Sequence, residues 1–290
     1  MPNAKDIDIN ELGKPRFLLI GSTGSGKTAQ IRTLPGRTFA YLFDPSALST
    51  LRGTDIDFEV FHPTRVSTAA QSLTSVAKGG KKDVTLGKED ASETYRRWEE
   101  DFEKKVKEGY WNTIDNIAFD SFTTFSDIVM DRVLYLNGRA GAFPQQDDWT
   151  AQMQTITNVV RTLMGMNKML LFTAHDEFKQ DEATSRMQNV ILLTGKLRVK
   201  VPLLFSEILH LECQSKPDKI KYVMQTRPDR MNPAIRCTMR DLEMYEDITI
   251  GDWNKPQDWG LGKLLKNKLG YNPTGNKPAP AVGLSPGKVA

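Results

Sequence analysis

Arg16-Phe-Leu-Leu-Ile20 runs directly into Gly21-Ser-Thr-Gly-Ser-Gly-Lys-Thr28. An apolar strand that breaks into a glycine-rich turn and ends on a lysine and a hydroxyl residue is the full Walker A pattern, with the preceding strand that it requires. Gly21, Gly24 and Gly26 let the backbone curl so that successive N–H groups point inward, and the helix that starts at Lys27 aims its unpaired donors at the same anion. Gly21, Ser22, Thr23, Gly24, Ser25, Gly26, Lys27, Thr28 and Ala29 are therefore the expected phosphate-binding residues. Lys27 is placed to reach the β and γ phosphates of ATP, and the Thr28 hydroxyl to ligate Mg2+. A glycine-rich turn that merely closed a strand–helix unit would have no use for the lysine.

Reading outward, Pro35-Gly36 stops the first helix and Arg37 to Phe43 reads as a second strand, with Asp44 at its carboxyl end. In an open parallel sheet, ligands sit outside the carboxyl ends of the strands, so Asp44 is a candidate to orient a water or hold magnesium through water. A turn-forming role ahead of Pro45 and Ser46 is its plainer reading. Asn116-Ile-Ala-Phe-Asp120-Ser121 has the Walker B form, in which Asp120 accepts from Thr28 or from a magnesium-bound water. A further strand, Lys168 to Ala174, ends at His175-Asp176-Glu177. His175 is the candidate γ-phosphate sensor and Glu177 an alternative general base, while Asp176 reads as loop solvation. The candidate catalytic set is thus Lys27, Asp44, Asp120, His175 and Glu177, with Thr28 and Asp120 on the metal.

Composition bounds this reading. The chain has 290 residues, 39% hydrophobic and 26% charged, enough to bury a sizeable core. The net charge of +3 is small, and from Gly251 onward six Lys face two Asp, so the body is close to neutral. The longest apolar runs are of strand length, which excludes a membrane span, and the polar, acidic start has no signal-peptide pattern. Cys213 and Cys237 lack the partners of a metal knuckle or disulfide framework and read as reduced structural thiols in a cytoplasm.

Strands alternating with helices predict an α/β fold with a mainly parallel central sheet. Between Gly79 and Gly109 a helical insertion is expected, with Tyr95, Trp98, Phe102 and Val106 at core-facing spacing. Phe122 to Leu136 and about Trp149 to Met164 read as helices, and Lys179 to Asn189 as a mobile polar loop near the phosphates. Glu207 to Glu212 and Lys219 to Gln225 read as antiparallel strands joined at Pro217-Asp218, with a further strand over Ile235 to Met239. Lys219, Lys221, Arg227, Arg230 and Arg236 are the candidates for a basic side chain supplied in trans to a neighbour's γ-phosphate. The reading divides the chain into residues 1–250 as one nucleotide-binding domain and 251–290 as a basic Pro/Gly-rich tail, flexible after a short helix near Leu261 to Leu269, with Trp253 and Trp259 as anchors. DNA, or a single-stranded DNA-binding protein, is the tail's candidate partner.

The ordered set of motifs resembles the RecA-like P-loop ATPases of phages, in particular the Sak-type single-strand annealing proteins and related phage nucleotide-binding proteins. The resemblance rests on the Walker A stretch, on Leu34-Pro-Gly36 before Thr38-Phe-Ala-Tyr-Leu-Phe-Asp44, and on Ile117-Ala-Phe-Asp-Ser121. It continues through Leu171-Phe-Thr-Ala-His175 and Leu193-Thr-Gly-Lys-Leu-Arg198 to Phe205-Ser-Glu-Ile-Leu-His210. It implies a RecA-like core with C-terminal antiparallel strands, ATP and Mg2+ as cofactors, single-stranded DNA as partner, and self-association into rings or filaments. One departure stands out: the glutamate that the family pattern expects two positions beyond Asp44 is Ser46. Slow hydrolysis, recruitment of Asp44 or Glu177, or use of ATP as an assembly switch each accommodate that change. A small-molecule or nucleotide kinase is the rival enzyme class, but the region after Asp120 offers only Arg132 and Arg139 for the arginine-rich lid a kinase needs.

Overall fold

The computed structural model describes residues 13–62, 88–181, 185–216 and 219–273. In chain order its elements are β1 (Arg16–Ile20), α1 (Lys27–Ile31), β2 (Thr38–Leu42), α2 (Ala47–Leu51), β3 (Asp57–Val60), α3 (Lys88–Lys107), β4 (Asn116–Asp120), α4 (Phe122–Leu136) and α5 (Gln146–Gly165). There follow β5 (Met169–Ala174), β6 (Asp176–Gln180), β7 (Met187–Ile191), α6 (Leu197–Lys200), β8 (Glu207–Lys216), β9 (Lys219–Gln225), β10 (Tyr245–Asp247) and α7 (Gly260–Leu264).

Eight strands form one sheet in the order β10-β9-β8-β1-β5-β4-β2-β3. From β3 to β8 the pairings are parallel, and β9 and β10 add antiparallel strands at one edge. This is the α/β architecture with C-terminal antiparallel strands that the motif order predicts. β1 sits between β5 and β8, with Ile20 level with Ala174 on one side and His210 on the other. The phosphate-loop stretch therefore leaves the sheet at its middle, flanked by two other strands.

Alternation along the strands sorts the core onto the two faces of the sheet. Leu18, Ile20, Phe39, Tyr41 and Phe43 join one cluster, and Phe17, Leu19, Ala40 and Leu42 the other. The first is covered by α3, α4 and α5 and is rich in rings. Phe119 and Phe172 stack at 4.9 Å, and Trp98 meets Phe125 edge-on at 4.9 Å. Tyr95 and Trp98 are buried and Phe102 packs beside them as the spacing predicts, whereas Val106 is 52% exposed. The part of the insertion before Lys88 lies outside the described residues.

Two expectations need correction. Lys179 to Asn189 is no irregular loop: β6 and β7 pair antiparallel from Asp176↔Ile191 to Gln180↔Met187, a hairpin that the polar composition concealed. Ile235 to Met239 is no strand; it contributes one bridge, Ile208↔Arg236. The short helix expected near Leu261 to Leu269 is present. It occupies 260–269, as α7 and a following π turn, and is docked: Leu261, Leu265 and Tyr271 are completely buried. Gln30 accepts from the Leu261 amide at 2.9 Å, and the Tyr271 hydroxyl donates to Asn116 Oδ1 at 2.8 Å. Trp253 lies under the Arg32 guanidinium at 4.9 Å, and Trp259 packs against Gly251. The Pro217-Asp218 turn and the tail from 274 onward, with its expected partners, fall outside the described residues.

Candidate functional site

The phosphate loop is shaped by close approaches that only glycine permits. A Cβ on Gly21 would stand 2.4 Å from the Leu211 carbonyl of β8, and Gly26 has φ +88° with the Tyr222 ring packed against it. Both positions follow from the neighbouring strands, because β1 and β8 run side by side and β9 brings Tyr222 over the turn. Lys27 is buried with its ammonium donating to the carbonyls of Gly21 at 2.6 Å and Ser22 at 2.8 Å. Burial lowers its pKa, and the carboxylates of Asp120, Asp176 and Asp44 oppose that shift.

Asp120, the last residue of β4, is almost wholly buried below this lysine. Its Oδ2 accepts from Thr28 Oγ1 at 2.8 Å, and its Oδ1 accepts from Thr173 of β5. Burial raises its pKa against the pull of those two hydroxyls and of Lys27, and Asp44 adds to the rise. Ser121 follows as the N-cap of α4, accepting from the Thr124 amide. A hydroxyl and a carboxylate are the hard oxygen donors magnesium prefers. The pair fits the small protein share of a site whose other ligands are phosphate and water. Among the described residues no cluster of three or more acidic, His or Cys side chains offers a stand-alone metal cage.

Asp44 stands beside the end of β4, its amide donating to the Asp120 carbonyl. Its carboxylate accepts from Thr124 Oγ1 and lies 3.6 Å from His175 Nε2. Burial would raise the Asp44 pKa, but the nearby His175 imidazole and the Thr124 and Ser121 hydroxyls outweigh it and hold the carboxyl below its ordinary range. The His175 amide in turn donates to Thr123 Oγ1 at 3.0 Å. Asp44, Asp120, His175 and the Lys27–Thr28 pair therefore meet at the carboxyl end of the sheet.

Glu177 does not join them. Successive strand residues point to opposite faces, so Glu177 turns to an ion pair with Arg198 at 2.7 Å, while Asp176 faces the phosphate loop. There Asp176 accepts from His210 Nε2 at 2.9 Å. In the sequence Asp176 reads as loop solvation and His210 only as part of a motif, and neither Thr124 nor Thr173 carries a signal of its own. Their placement depends on strand register across the sheet, which leaves no local signature.

The candidate trans-acting residues are mostly occupied within their own chain. Lys221 pairs with Asp247 at 3.4 Å, Arg227 donates to the Thr226 and Cys237 carbonyls, and Arg236 to those of Pro202 and Phe205. Arg230 is exposed, and Lys219 opens β9. No helix among the described residues is long and apolar enough to cross a membrane.

A family model described as an AAA domain matches residues 13–235. No curated protein matches the chain. Among solved structures, a KaiC-like protein of the hyperthermophilic archaeon Pyrococcus horikoshii matches at 12% identity and TM-score 0.40, covering 84% of this chain and 87% of its own. The flagellar accessory protein FlaH of Methanocaldococcus jannaschii matches at 11% identity and TM-score 0.36, covering 81% of this chain and 85% of its own.

Proposed function

Because the chain belongs to the AAA-domain family of P-loop ATPases, matched from residue 13 to residue 235, we propose that it hydrolyses ATP with Mg2+ and works as an oligomer on single-stranded DNA, in recombination or strand annealing. The observation that carries the ATP part is the Thr28–Asp120 hydrogen bond at 2.8 Å beneath a glycine turn that holds Lys27. Thr28 and Asp120 would hold magnesium, which would supply neutralisation of the phosphate charge. The remaining work falls to the chain itself. The loop amides and Lys27 bind and orient the phosphates, and Lys27 must leave the Gly21 and Ser22 carbonyls to do so. With Ser46 in the glutamate position, Asp44 is the group to orient the attacking water. Its depressed pKa keeps it an ionised acceptor at neutral pH, and the nearby imidazole of His175 is set to follow the γ-phosphate.

The DNA part is supported by the β6–β7 hairpin, which rises from the same end of the sheet. It carries Phe178, 65% exposed, together with exposed Lys179, Arg186 and Met187. A ring to stack a base and cations to meet the backbone are what a single strand requires. The kinase reading is less well supported, because Arg139 is taken up by Asp148 and Arg132 by Ser92.

Phosphate release, with and without oligo-dT, tests the proposal. Lys27→Ala is expected to abolish turnover, and unchanged turnover would sink the P-loop assignment. Phe178→Ala is expected to weaken oligo-dT binding and any stimulation by it. Ser46 favours one second reading, a nucleotide-controlled assembly factor, which would show ATP-dependent oligomers by light scattering without phosphate release.

A further inference from the structure

His210 is a buried histidine on β8, 4% exposed, and the catalytic proposal does not use it. Its Nε2 bonds Asp176 at 2.9 Å, and its Nδ1 lies 3.4 Å from Glu212 Oε1. Position gives this pair its interest. β1 lies between β5 and β8, and His210 is level with Ile20, the last residue before the phosphate loop. Asp176 follows β5 by two residues and opens β6. The His210–Asp176 bond thus closes over the end of β1, where the phosphate loop begins. At the same point Gly21 donates to the Ala174 carbonyl at 3.2 Å and packs under the Leu211 carbonyl. Asp176 is also one of the three carboxylates that Lys27 feels.

A second polar path reaches the same place from the other strand of the hairpin. Asn189 of β7 donates through its side chain to Asn232 at 3.0 Å, and its amide to the Met231 carbonyl at 2.7 Å. Asn232 donates to Gln225 Oε1 at 2.8 Å, and Gln225 is the cross-strand partner of His210. Gln225, Asn232 and His210 are all buried, where an unmet polar group is costly, so the arrangement resists piecemeal change. Between the hairpin, α6 and residues 232–236 lies a groove of about 870 Å³, with Ile20 and His210 among its lining residues. Both strands of the hairpin are thereby fastened to the strands that flank the phosphate loop.

We propose that His210 and Asp176 form a positioning pair that ties the β6–β7 hairpin to the root of the phosphate loop, so that nucleotide at Lys27 and the placement of the hairpin depend on each other. The inference rests on the nucleotide-binding reading above and deepens it with a route of coupling. When Lys27 turns to phosphate, the charge facing Asp176 changes, and the side-chain hydrogen bond of Asp176 carries that change to His210 on β8. The groups facing the pair are Lys27 from the phosphate loop, Glu212 on β8, Gln225 on β9 and the groove-lining Lys179, Arg198 and Arg236.

Hydrogen exchange of the full chain, with and without a non-hydrolysable ATP analogue and Mg2+, tests the coupling, with analogue affinity measured in parallel. In the wild type, nucleotide is expected to change exchange in peptides covering 176–191. His210→Ala and Asp176→Ala, each of which removes one partner of the bond, are expected to lose that response, and in His210→Ala analogue affinity is expected to move by less than roughly threefold, since that side chain does not belong to the phosphate cradle. His210→Gln, which keeps a donor toward Asp176, is expected to retain the response. A silent wild-type hairpin in nucleotide-bound protein, an undiminished response in both disruptive variants, or a glutamine variant as uncoupled as the alanine one would each overturn the pair's role. Failure of the wild type to bind the analogue at all would instead remove the nucleotide reading and this inference with it. Should His210→Ala not fold, Asp176→Ala tests the same bond from its other end.

Discussion

Asp120 is a buried carboxylate whose two oxygens are both taken by threonine hydroxyls from other strands or helices. Burial raises its pKa, so folding disfavours its charged form. The sign follows: this group costs stability at neutral pH, and the cost disappears as pH falls through the raised folded-state value. Asp120→Asn removes the charge while keeping an acceptor for Thr28 or Thr173. The variant is therefore expected to melt no lower than wild type at pH 7, by calorimetry, yet to lose magnesium-supported turnover by roughly ten- to a hundredfold. A lower Tm together with intact turnover would contradict both halves. At this scale the sequence was legible wherever chemistry is local. Lys27, Thr28 and Asp120 are found by motif, and Asp44 and His175 by lying at strand ends. Glu177 meets Arg198 and Asp176 meets His210 because neighbouring strand residues face opposite sides, and which side each meets depends on partners far along the chain.

Helix α5 shows how one side chain can move an element's boundary. The apolar spacing suggests a start near Trp149, but the helix begins at Gln146 because Gln145 and Asp148 form a reciprocal capping box. Asp148, with no solvent exposure, accepts from the Gln145 amide at 2.8 Å, from Asn137 at 2.7 Å and from Arg139. Arg139 first, then the Gln145 amide, bring its pKa down to about 2. A depressed carboxylate stabilises the fold above its unfolded value of about 3.9, and that contribution is lost as pH falls toward 2. Asp148→Asn is accordingly expected to lower Tm at pH 7, with the gap from wild type narrowing as pH falls below about 4. A constant gap across that range would show that the charge is not what matters. Elements in the middle of the sheet, such as β4 and β5, were legible as continuous apolar runs. The edge strands β3 and β10 were not, because Asp57, Glu59, Glu246 and Asp247 interrupt any apolar pattern, as suits strands with an open side.

Across the whole molecule, the last described residues complete the face of the sheet that carries α1. Leu261, Leu264 and Leu265 repeat at the three- and four-residue spacing of a buried stripe, which is what makes the short helix near Leu261 to Leu269 legible among the surrounding Lys, Gly and Pro. Leu265→Ala is expected to cost about 2–5 kcal/mol in urea unfolding, with the slope unchanged, as for any fully buried leucine. A loss below about 0.5 kcal/mol would mean that this segment is a surface appendage. The sheet order itself carries a consequence for how the chain is made. β1 precedes both of its sheet neighbours, β5 and β8, so each is synthesised some 150 to 190 residues after it. Until then an apolar strand stands with both edges unpaired, and the turn that follows it has no Leu211 carbonyl or Tyr222 ring to shape it. The nucleotide site therefore matures only after β8 and β9 have been made, and the nascent chain before that point is where chaperone dependence and aggregation of this protein should concentrate.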